Sequence, residues 1–492
     1  MLVLSPLGEE YYRHVITAID GDNSAMKIHF LGANRQVTGS CYCLEAAGQR
    51  LLIDCGLYQE RKFLGRNWEP LPISASSINA IVLTHAHIDH IGLLPRRVAE
   101  GMDAPLIMTR PTAALVDIML RDAAKIQGED AKQKKKRHKR EGRTPPHEVV
   151  PLYTEQDVEK TLPMIKSVPY AQSQSLCDGV FDITFMEAGH ILGSSMLEID
   201  VHENGETRKV IFSGDIGQWD KPIIRDPTMF EQADYVVMES TYGDRNHKDY
   251  GDCEDQLAEV VNRTVERGGN VVIPTFAVER SQELIYHLSR LNQYDRIPSV
   301  PVFLDSPMAV DVTKVFSKFK DCFDQDAWDM IIDGKSILDF PGMQLCRSRN
   351  ESKQINECNQ PCIIMSTSGM CNAGRIKYHL RSNISDPRST IVFVGYQAHG
   401  TLGRVISSGT NPVRIHGREY KVQAEIVQLS GFSGHTDQQG LMDWVANFKE
   451  QPKKVFLCHG DEDAALELSD RISNTHGLHV EIPEFQQTVE LS

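Results

Sequence analysis

The run Thr84-His85-Ala86-His87-Ile88-Asp89-His90 constrains this chain more than any other stretch. Three histidines and one aspartate follow the apolar stretch Ala80-Ile81-Val82-Leu83 directly. Imidazole and carboxylate are the side chains that hold zinc, iron or manganese. A strand that ends in such a cluster presents its ligands from a rigid edge. Isolated histidines are usually structural or solvent-facing, and the chain has eighteen. The HxHxDH spacing sets this group apart from them and predicts a metal site behind a strand.

At 492 residues the chain exceeds one ordinary core, so two or more domains are expected. No window approaches eighteen uninterrupted apolar residues, which predicts no transmembrane helix. The opening MLVLSPLGEEYYRHVITAID has acidic residues where a signal peptide needs an apolar core. Eleven cysteines include no CxxC pair, and Cys41/Cys43 and Cys358/Cys362 lack zinc-ribbon spacing. Reduced thiols in a cytoplasmic enzyme are expected, with Cys55 and Cys458 as small core residues. The net charge of −15 argues against a protein that coats nucleic acid. Against that trend, Lys132–Arg143 reads KQKKKRHKREGR, eight Lys/Arg beside the single Glu141. It reads either as a solvated loop or helix face, or as a local arm that attracts phosphates.

Residues 1–25 carry no clear pattern and read as a loose extension, whereas a strand begins cleanly at Met26. Strands are expected at 41–45, 50–54 and 80–84, then a helix at 93–100. Apolar residues at Leu115, Ile118, Met119 and Ala123 predict a helix over 112–127. It would lead into the basic segment, with Pro145-Pro146 closing it. Strands return at 181–186, 196–201, 209–213 and 235–238. From about 245 the pattern changes: helices at 255–267, 281–291 and 309–319 alternate with strands at 270–274, 300–304, 362–365 and 390–394. Such alternation implies a parallel α/β sheet. Strand–turn patterns resume after about 395, so one domain reads as interrupted by another.

Four further polar residues sit just after apolar strands. His190 follows Phe185-Met186-Glu187-Ala188-Gly189, Asp215 follows Val210–Gly214, Glu239 follows Val236-Val237-Met238, and His459 follows Val455–Cys458. Each alone reads as a turn or capping residue; the repeated placement points to one site.

Together these runs resemble the metallo-β-lactamase superfamily, and within it the β-CASP branch of nucleic-acid-processing nucleases. The resemblance covers nearly the whole chain from about Met26. Asp54 in LLIDCGL matches the first superfamily motif, THAHIDH the second, His190 in AGHILGS the third and Asp215 in FSGDIG the fourth. Glu239 in MESTYGDR, His435 in SGFSGHTD and His459 in LCHGDE match the β-CASP motifs. The runs VIPTFAVERSQE, LDSPMA, STSGMCNAGR and GYQAHGTLGR are also family-like. The fold implied is a metallo-β-lactamase αββα sandwich with an inserted β-CASP α/β domain built on a parallel sheet. The division is then 1–25 extension, 26–244 first part of the metallo-β-lactamase domain, 245–394 β-CASP domain, and 395–492 second part.

The resemblance implies two zinc ions, in a donor set that also accepts manganese. One would be held by His85, His87 and His190, the other by Asp89, His90 and His459, with Asp215 bridging. Such a pair supplies a bridging hydroxide at neutral pH and neutralises charge on phosphoryl oxygens. Asp54 would orient a ligand or the water. His435 resembles the residue that protonates the departing 3′ oxygen, and Glu239 the one that fixes its orientation. Arg280, Ser366, Ser368 and Arg375 would contact RNA phosphates where the insertion covers the metal face, and the basic arm would guide the backbone there. His399 reads as structural or substrate-facing, and His29 and His416 as structural.

Histidine at the last motif marks the RNA-directed members, so His459 implies single-stranded RNA as partner and a two-metal endoribonuclease like the compact bacterial relatives of the polyadenylation endonuclease. The absence of a KH-like module before residue 26, and the roughly thirty residues after His459, fit that expectation. No membrane and no nucleotide cofactor are expected, and no protein partner is legible. Two alternatives stand beside it: a small-molecule ester or thioester hydrolase of the same superfamily, and a non-catalytic scaffold of a processing complex. The long insertion with the Glu239/His435 pair weighs against the first, and the intact ligand set against the second.

Overall fold

The structure, a computed structural model, describes residues 25–142, 144, 148–247, 253–395, 397, 398, 400–429 and 431–492. The expected loose extension (apart from Ala25), Arg143, Pro145-Pro146 and His399 therefore lie outside the described residues. The described residues divide into two compact units: those within 25–217, 227–245 and 435–492 form one, and those within 218–226 and 246–434 form the other.

The first unit is built on two seven-stranded sheets. One runs, edge to edge, through Gln487–Glu490, Lys27–Gly32, Cys41–Ala46, Gln49–Ile53, Ala80–Val82, Leu106–Thr109 and Ile165–Val168. The other runs through Val480–Glu481, Lys454–Cys458, Tyr235–Glu239, Glu206–Phe212, Ser195–Glu203, Phe181–Glu187 and Gln174–Leu176. A single hydrophobic core joins their inner faces, with Phe30, Leu44, Ile53 and Val82 from the first and Phe185, Leu197, Phe212 and Phe456 from the second. Alternation along Phe181–Glu187, buried at Phe181, Ile183 and Phe185, sends every second side chain into that core. The Phe30 and Phe456 rings meet at 5.0 Å, a contact worth about 0.5–1.5 kcal/mol beyond its buried area. Helices pack outside both sheets, among them Arg110–Glu141 on the first and Glu462–His476 on the second. This is the αββα sandwich.

The helix expected to stop at 127 continues as Arg110–Glu141, 32 residues in all. Nothing between Gln127 and Glu141 breaks it except the tolerated Gly128, and lysine, arginine and glutamine are good helix formers. It starts on a Thr109 cap that accepts from Thr112 N–H and ends at Gly142 with φ 62°, the left-handed turn glycine makes cheaply. The basic segment up to Glu141 is therefore helix, and its cations suit the negative end of the helix dipole.

In the second unit a six-stranded sheet runs through Met343–Leu345, Val302–Leu304, Ile363–Ser366, Val271–Pro274, Thr390–Val394 and Glu425–Leu429, and every pairing is parallel. These strands are near-continuous apolar runs, as expected of a sheet covered by helices on both faces. The return to the first domain expected at 395 comes instead at His435. The reason is Glu425–Leu429, which zips in register beside Thr390–Val394, from Thr390–Glu425 to Val394–Leu429. A short partly exposed strand with one glutamate and one glutamine gives no periodic signal of belonging to a buried parallel sheet.

Candidate metal centre

Every residue of the expected centre lies in the first unit, at the end of a strand or in the loop that follows it. Asp54 follows Gln49–Ile53, the 84–90 run follows Ala80–Val82, and Asp215 follows Glu206–Phe212. Glu239 ends its strand, and His459 follows Lys454–Cys458. Strand ends suit the task because the ladder fixes the backbone up to the residue before the ligand. The loops are held close as well. A Cβ on Gly56 would stand 1.6 Å from the Asp89 carbonyl oxygen, and one on Gly217 1.8 Å from that of Gly189, next to His190. Ser194 Oγ accepts the backbone N–H groups of His190 and Ile191.

The side chains converge in three groups: His85, His87, His190 and Asp215; Asp89, His90 and His459; Asp215, Glu239 and His435. His85 Nε2 lies 3.1 Å from His87 Nδ1, and His190 Nε2 3.2 Å from that same atom. His90 Nε2 and His459 Nε2 are 3.2 Å apart, and His459 Nε2 is 3.6 Å from Asp89 Oδ2. Asp215 stands between the first two groups. Its Oδ2 is 3.4 Å from both His85 Nε2 and His190 Nε2, and its Oδ1 is 3.3 Å from His90 Nε2 and 3.5 Å from His459 Nδ1.

Asp215 Oδ1 is buried without a hydrogen-bond partner among the described residues. An orphaned carboxylate oxygen facing several imidazole nitrogens is costly unless a cation sits among them. Burial and neighbouring imidazoles push His85 and His87 down, toward the neutral form that ligates metal, whereas Asp215 and Asp54 outweigh burial and hold His90 up. Burial alone would raise Asp215, but His459, His90 and His85 outweigh it and hold the carboxyl well below its ordinary range. The residues present fit a pair of divalent cations, and the imidazole–carboxylate donor set is that of zinc or manganese.

Asp54 touches none of the three groups' ligand atoms except through His90. Its Oδ2 lies 2.7 Å from His90 Nδ1, and it accepts from Thr84 N–H and Thr84 O–H, both at 2.8 Å. Thr84 Oγ1 also stands 3.1 Å from His85 Nδ1. Thr84 and Asp54 together therefore hold both rings with Nε2 facing inward, the outer arrangement that tunes a metal ligand. Sequence reasoning assigned Thr84 no role, nor Thr241, whose hydroxyl donates to His459 O at 2.9 Å and lies 3.2 Å from His459 Nδ1. Their only signal is adjacency to a ligand or to Glu239. Asp54→Asn is expected to weaken metal binding about 10- to 100-fold, checked by titrating metal-stripped protein; unaltered affinity would remove Asp54 from this role.

His435 Nδ1 lies 3.0 and 3.1 Å from the two oxygens of Glu239, and His435 Nε2 3.9 Å from Asp215 Oδ2. Glu239 also accepts the Ile216 N–H at 2.5 Å, and Thr436 N–H donates to Ile216 O at 2.8 Å. His435 is thus locked beside Asp215 by the chain on either side. Burial opposes its charge, but the carboxylates of Glu239 and Asp215 push it up to about 9.

The four residues expected to meet phosphates lie in the second unit and are mostly committed elsewhere. Ser366 is fully buried in its strand and donates to Asp305 O at 2.8 Å, so it faces no substrate. Arg280 is buried, paired with Glu283 and stacked over Phe432 at 5.6 Å. Arg375 is held by Asp305 Oδ1 at 2.7 Å and by the carbonyls of Cys346 and Arg347. Their charges are answered within the unit because the parallel sheet buries Asp305 and Glu283 beside them. Ser368 alone keeps a hydroxyl without a partner among the described residues. His29 pairs with Glu45 and Thr488 across its sheet, as a structural histidine does. All eleven cysteines are free thiols.

Three family models match: a metallo-β-lactamase superfamily domain over 43–233, a β-CASP domain over 281–406, and a Zn-dependent metallo-hydrolase RNA specificity domain over 419–483. Ribonuclease TTHA0252 of Thermus thermophilus is 36% identical over 464 residues, 94% of this chain and 100% of that protein. The chain belongs to the β-CASP nucleases of the metallo-β-lactamase superfamily. Among further relatives, the transcription termination factor FttA of Methanosarcina mazei is 31% identical, covering 96% of this chain and 72% of that protein. A crystal structure of a protein of unknown function from Enterococcus faecalis V583 shares the fold, with a TM-score of 0.53 at 10% identity over 95% of this chain and 100% of that one. This β-CASP chain is a metal-dependent hydrolase by family, and no helix among its described residues is long and apolar enough to cross a membrane.

Proposed function

We propose that this chain is a two-metal ribonuclease that hydrolyses phosphodiester bonds of single-stranded RNA, cutting within the strand, in the cytoplasm. The observation that carries the reading is Asp215, a buried carboxylate between two imidazole clusters whose Oδ1 has no hydrogen-bond partner among the described residues, with the Glu239–His435 pair at its side. The likeness to a ribonuclease over its full length and the match to an RNA specificity domain support RNA as the substrate.

In this reading His85, His87 and His190 hold one metal, Asp89, His90 and His459 the other, and Asp215 both. Bound there, two divalent cations supply Lewis acidity toward phosphoryl oxygens and make water nucleophilic at neutral pH. The chain's own groups do the rest. Asp54 and Thr84 hold His90 and His85 in the tautomer that points Nε2 inward. Glu239 accepts from His435 Nδ1 and so leaves Nε2 to carry the proton that the departing 3′ oxygen takes. Glu239 keeps its orienting role because its second task, accepting Ile216 N–H, ties it to the Asp215 loop.

The experiment is metal analysis of purified protein beside cleavage of circular RNA, 5′-blocked linear RNA and a panel of thioesters. Two zinc or manganese ions per chain and cleavage of the circle are expected. Thioester hydrolysis without RNA cleavage would overturn the reading, and cleavage of linear RNA alone would replace the internal cut by an exonucleolytic one.

A further inference from the structure

The helix Arg110–Glu141 begins at the metal face and ends in a cluster of cations far from it. At its start, Thr109 and Thr112 hydroxyls both donate to the Gly193 carbonyl, three residues beyond His190. A Cβ on Gly193 would stand 2.6 Å from Thr112 N, so loop and helix start are packed backbone to backbone. The short helix Ile88–Ile91, which carries Asp89 and His90, packs on the same long helix. From Lys132 to Glu141 every residue is exposed except the half-buried His138. Lys132, Lys134, Lys135, Lys136, Arg137, Lys139 and Arg140 all lie on this stretch. Lys135 approaches Glu148 at 3.7 Å and Arg140 approaches Glu141 at 3.9 Å. Among the described residues these seven cations thus make two weak surface ion pairs, on a chain of net charge −15.

A helix end needs a basic residue or two to answer its dipole, not seven within nine residues. Mutual repulsion of such a cluster destabilises the helix end unless an anion answers it. At ~1.5 Å rise per residue the cations stand ~33–45 Å along the helix from Arg110. That distance corresponds to ~10–13 nucleotides of stacked strand at ~3.4 Å each.

We infer that the far end of this helix is a phosphate-binding exosite that grips single-stranded RNA ~10–13 stacked nucleotides beyond the helix start at the metal face. The inference rests on the ribonuclease reading. It goes beyond it by making substrate length, rather than base sequence, a determinant of affinity. A helix is rigid enough to act as a ruler, whereas a loop of the same composition would contact RNA at any separation. RNA is favoured over an anionic membrane or an acidic protein because the helix is anchored at its other end to the His190 loop.

The test compares wild type with a variant carrying Gln at positions 134–137, 139 and 140, which keeps helix-forming residues throughout. Binding of poly-uridine RNAs of about 6 and about 30 nucleotides, lengths on either side of that span, is read by fluorescence anisotropy with EDTA present to hold off cleavage. The wild type should prefer the longer RNA by well over tenfold at low salt. In the variant that preference should shrink about tenfold, and the slope of log affinity against log salt for the long RNA should fall by ~2–4. An undiminished length preference, or equal losses for both RNAs, would overturn the exosite. Loss of binding to phosphatidylserine–phosphatidylcholine vesicles with intact RNA preference would assign the cluster to membranes instead. Circular dichroism of the variant checks that the helix persists. Failure of the nuclease reading shows separately, as wild-type protein that binds long RNA by this rule but cuts none when metal is restored.

Discussion

Asp215→Asn is expected to strip bound metal from the protein and slow RNA cleavage by about 10³-fold or more, the scale set by losing a central electrostatic group. Asp215 lies between both imidazole clusters, with Oδ2 3.4 Å from His85 and His190 and Oδ1 3.3 Å from His90. Asparagine keeps the volume but replaces one acceptor by a donor, and an N–H cannot face a cation. The unlinked charge also matters. Its loss would leave the four buried imidazoles of the two clusters, His85, His90, His190 and His459, without the carboxylate that faces all of them. Metal content by plasma emission and single-turnover rates on labelled RNA check the prediction. A thermal melt in EDTA shows whether the variant still folds. A variant with full metal content and full rate would refute the assignment of Asp215 as the shared ligand.

The second large effect separates proton transfer from metal binding. His435→Ala should retain both metals yet slow cleavage about 10²- to 10⁴-fold, the usual contribution of a positioned acid. The geometry predicts this split. His435 is tied to Glu239 at 3.0 Å and reaches Asp215 only at 3.9 Å, outside the two imidazole clusters. A substrate with sulfur in place of the departing 3′ oxygen needs no proton, because a thiolate leaves readily. On that substrate the variant should recover most of the lost rate. Equal deficits on oxygen and sulfur substrates would mean that His435 shapes the site without donating a proton. Glu239→Gln should shift the rate in the same direction with a smaller effect, since glutamine still accepts from Nδ1 but carries no charge.

These expectations depend unequally on sequence and on structure. The 84–90 run was legible because local spacing carries it: a strand, a turn and one helical turn put four ligand-type side chains within a few residues of each other. His190, Asp215, Glu239 and His459 were legible through one repeated signal, a polar residue after an apolar strand. The same rule could not separate a ligand from its supports. Thr84 and Thr241 hold imidazoles through hydroxyls, and a threonine beside a histidine has no distinguishing pattern. Three of the four residues expected at phosphates are held inside their own unit for a related reason. Arginine and serine in Gly-rich runs suit phosphate, but Asp305 and Glu283 already answer Arg375 and Arg280, and these acids lie 70 and 3 residues away along the chain.

By itself, then, the sequence picked out the imidazole and carboxylate residues that converge, their placement at or just after strand ends, and the interruption of one domain by another. Those are properties of periodicity and local spacing, which the backbone enforces over a few residues. Tertiary structure decided what periodicity cannot encode. It made Asp215 the meeting point of two imidazole clusters and bound Asp54 and Thr84 behind His90 and His85. It gave Glu425–Leu429 to the parallel sheet and moved the domain return to His435. It also made the basic run the tip of a helix whose other end is clamped to the His190 loop. Each of these depends on which strands pair and which faces pack. Pairing is chosen by burial summed over the whole core, a quantity no single window of the chain contains.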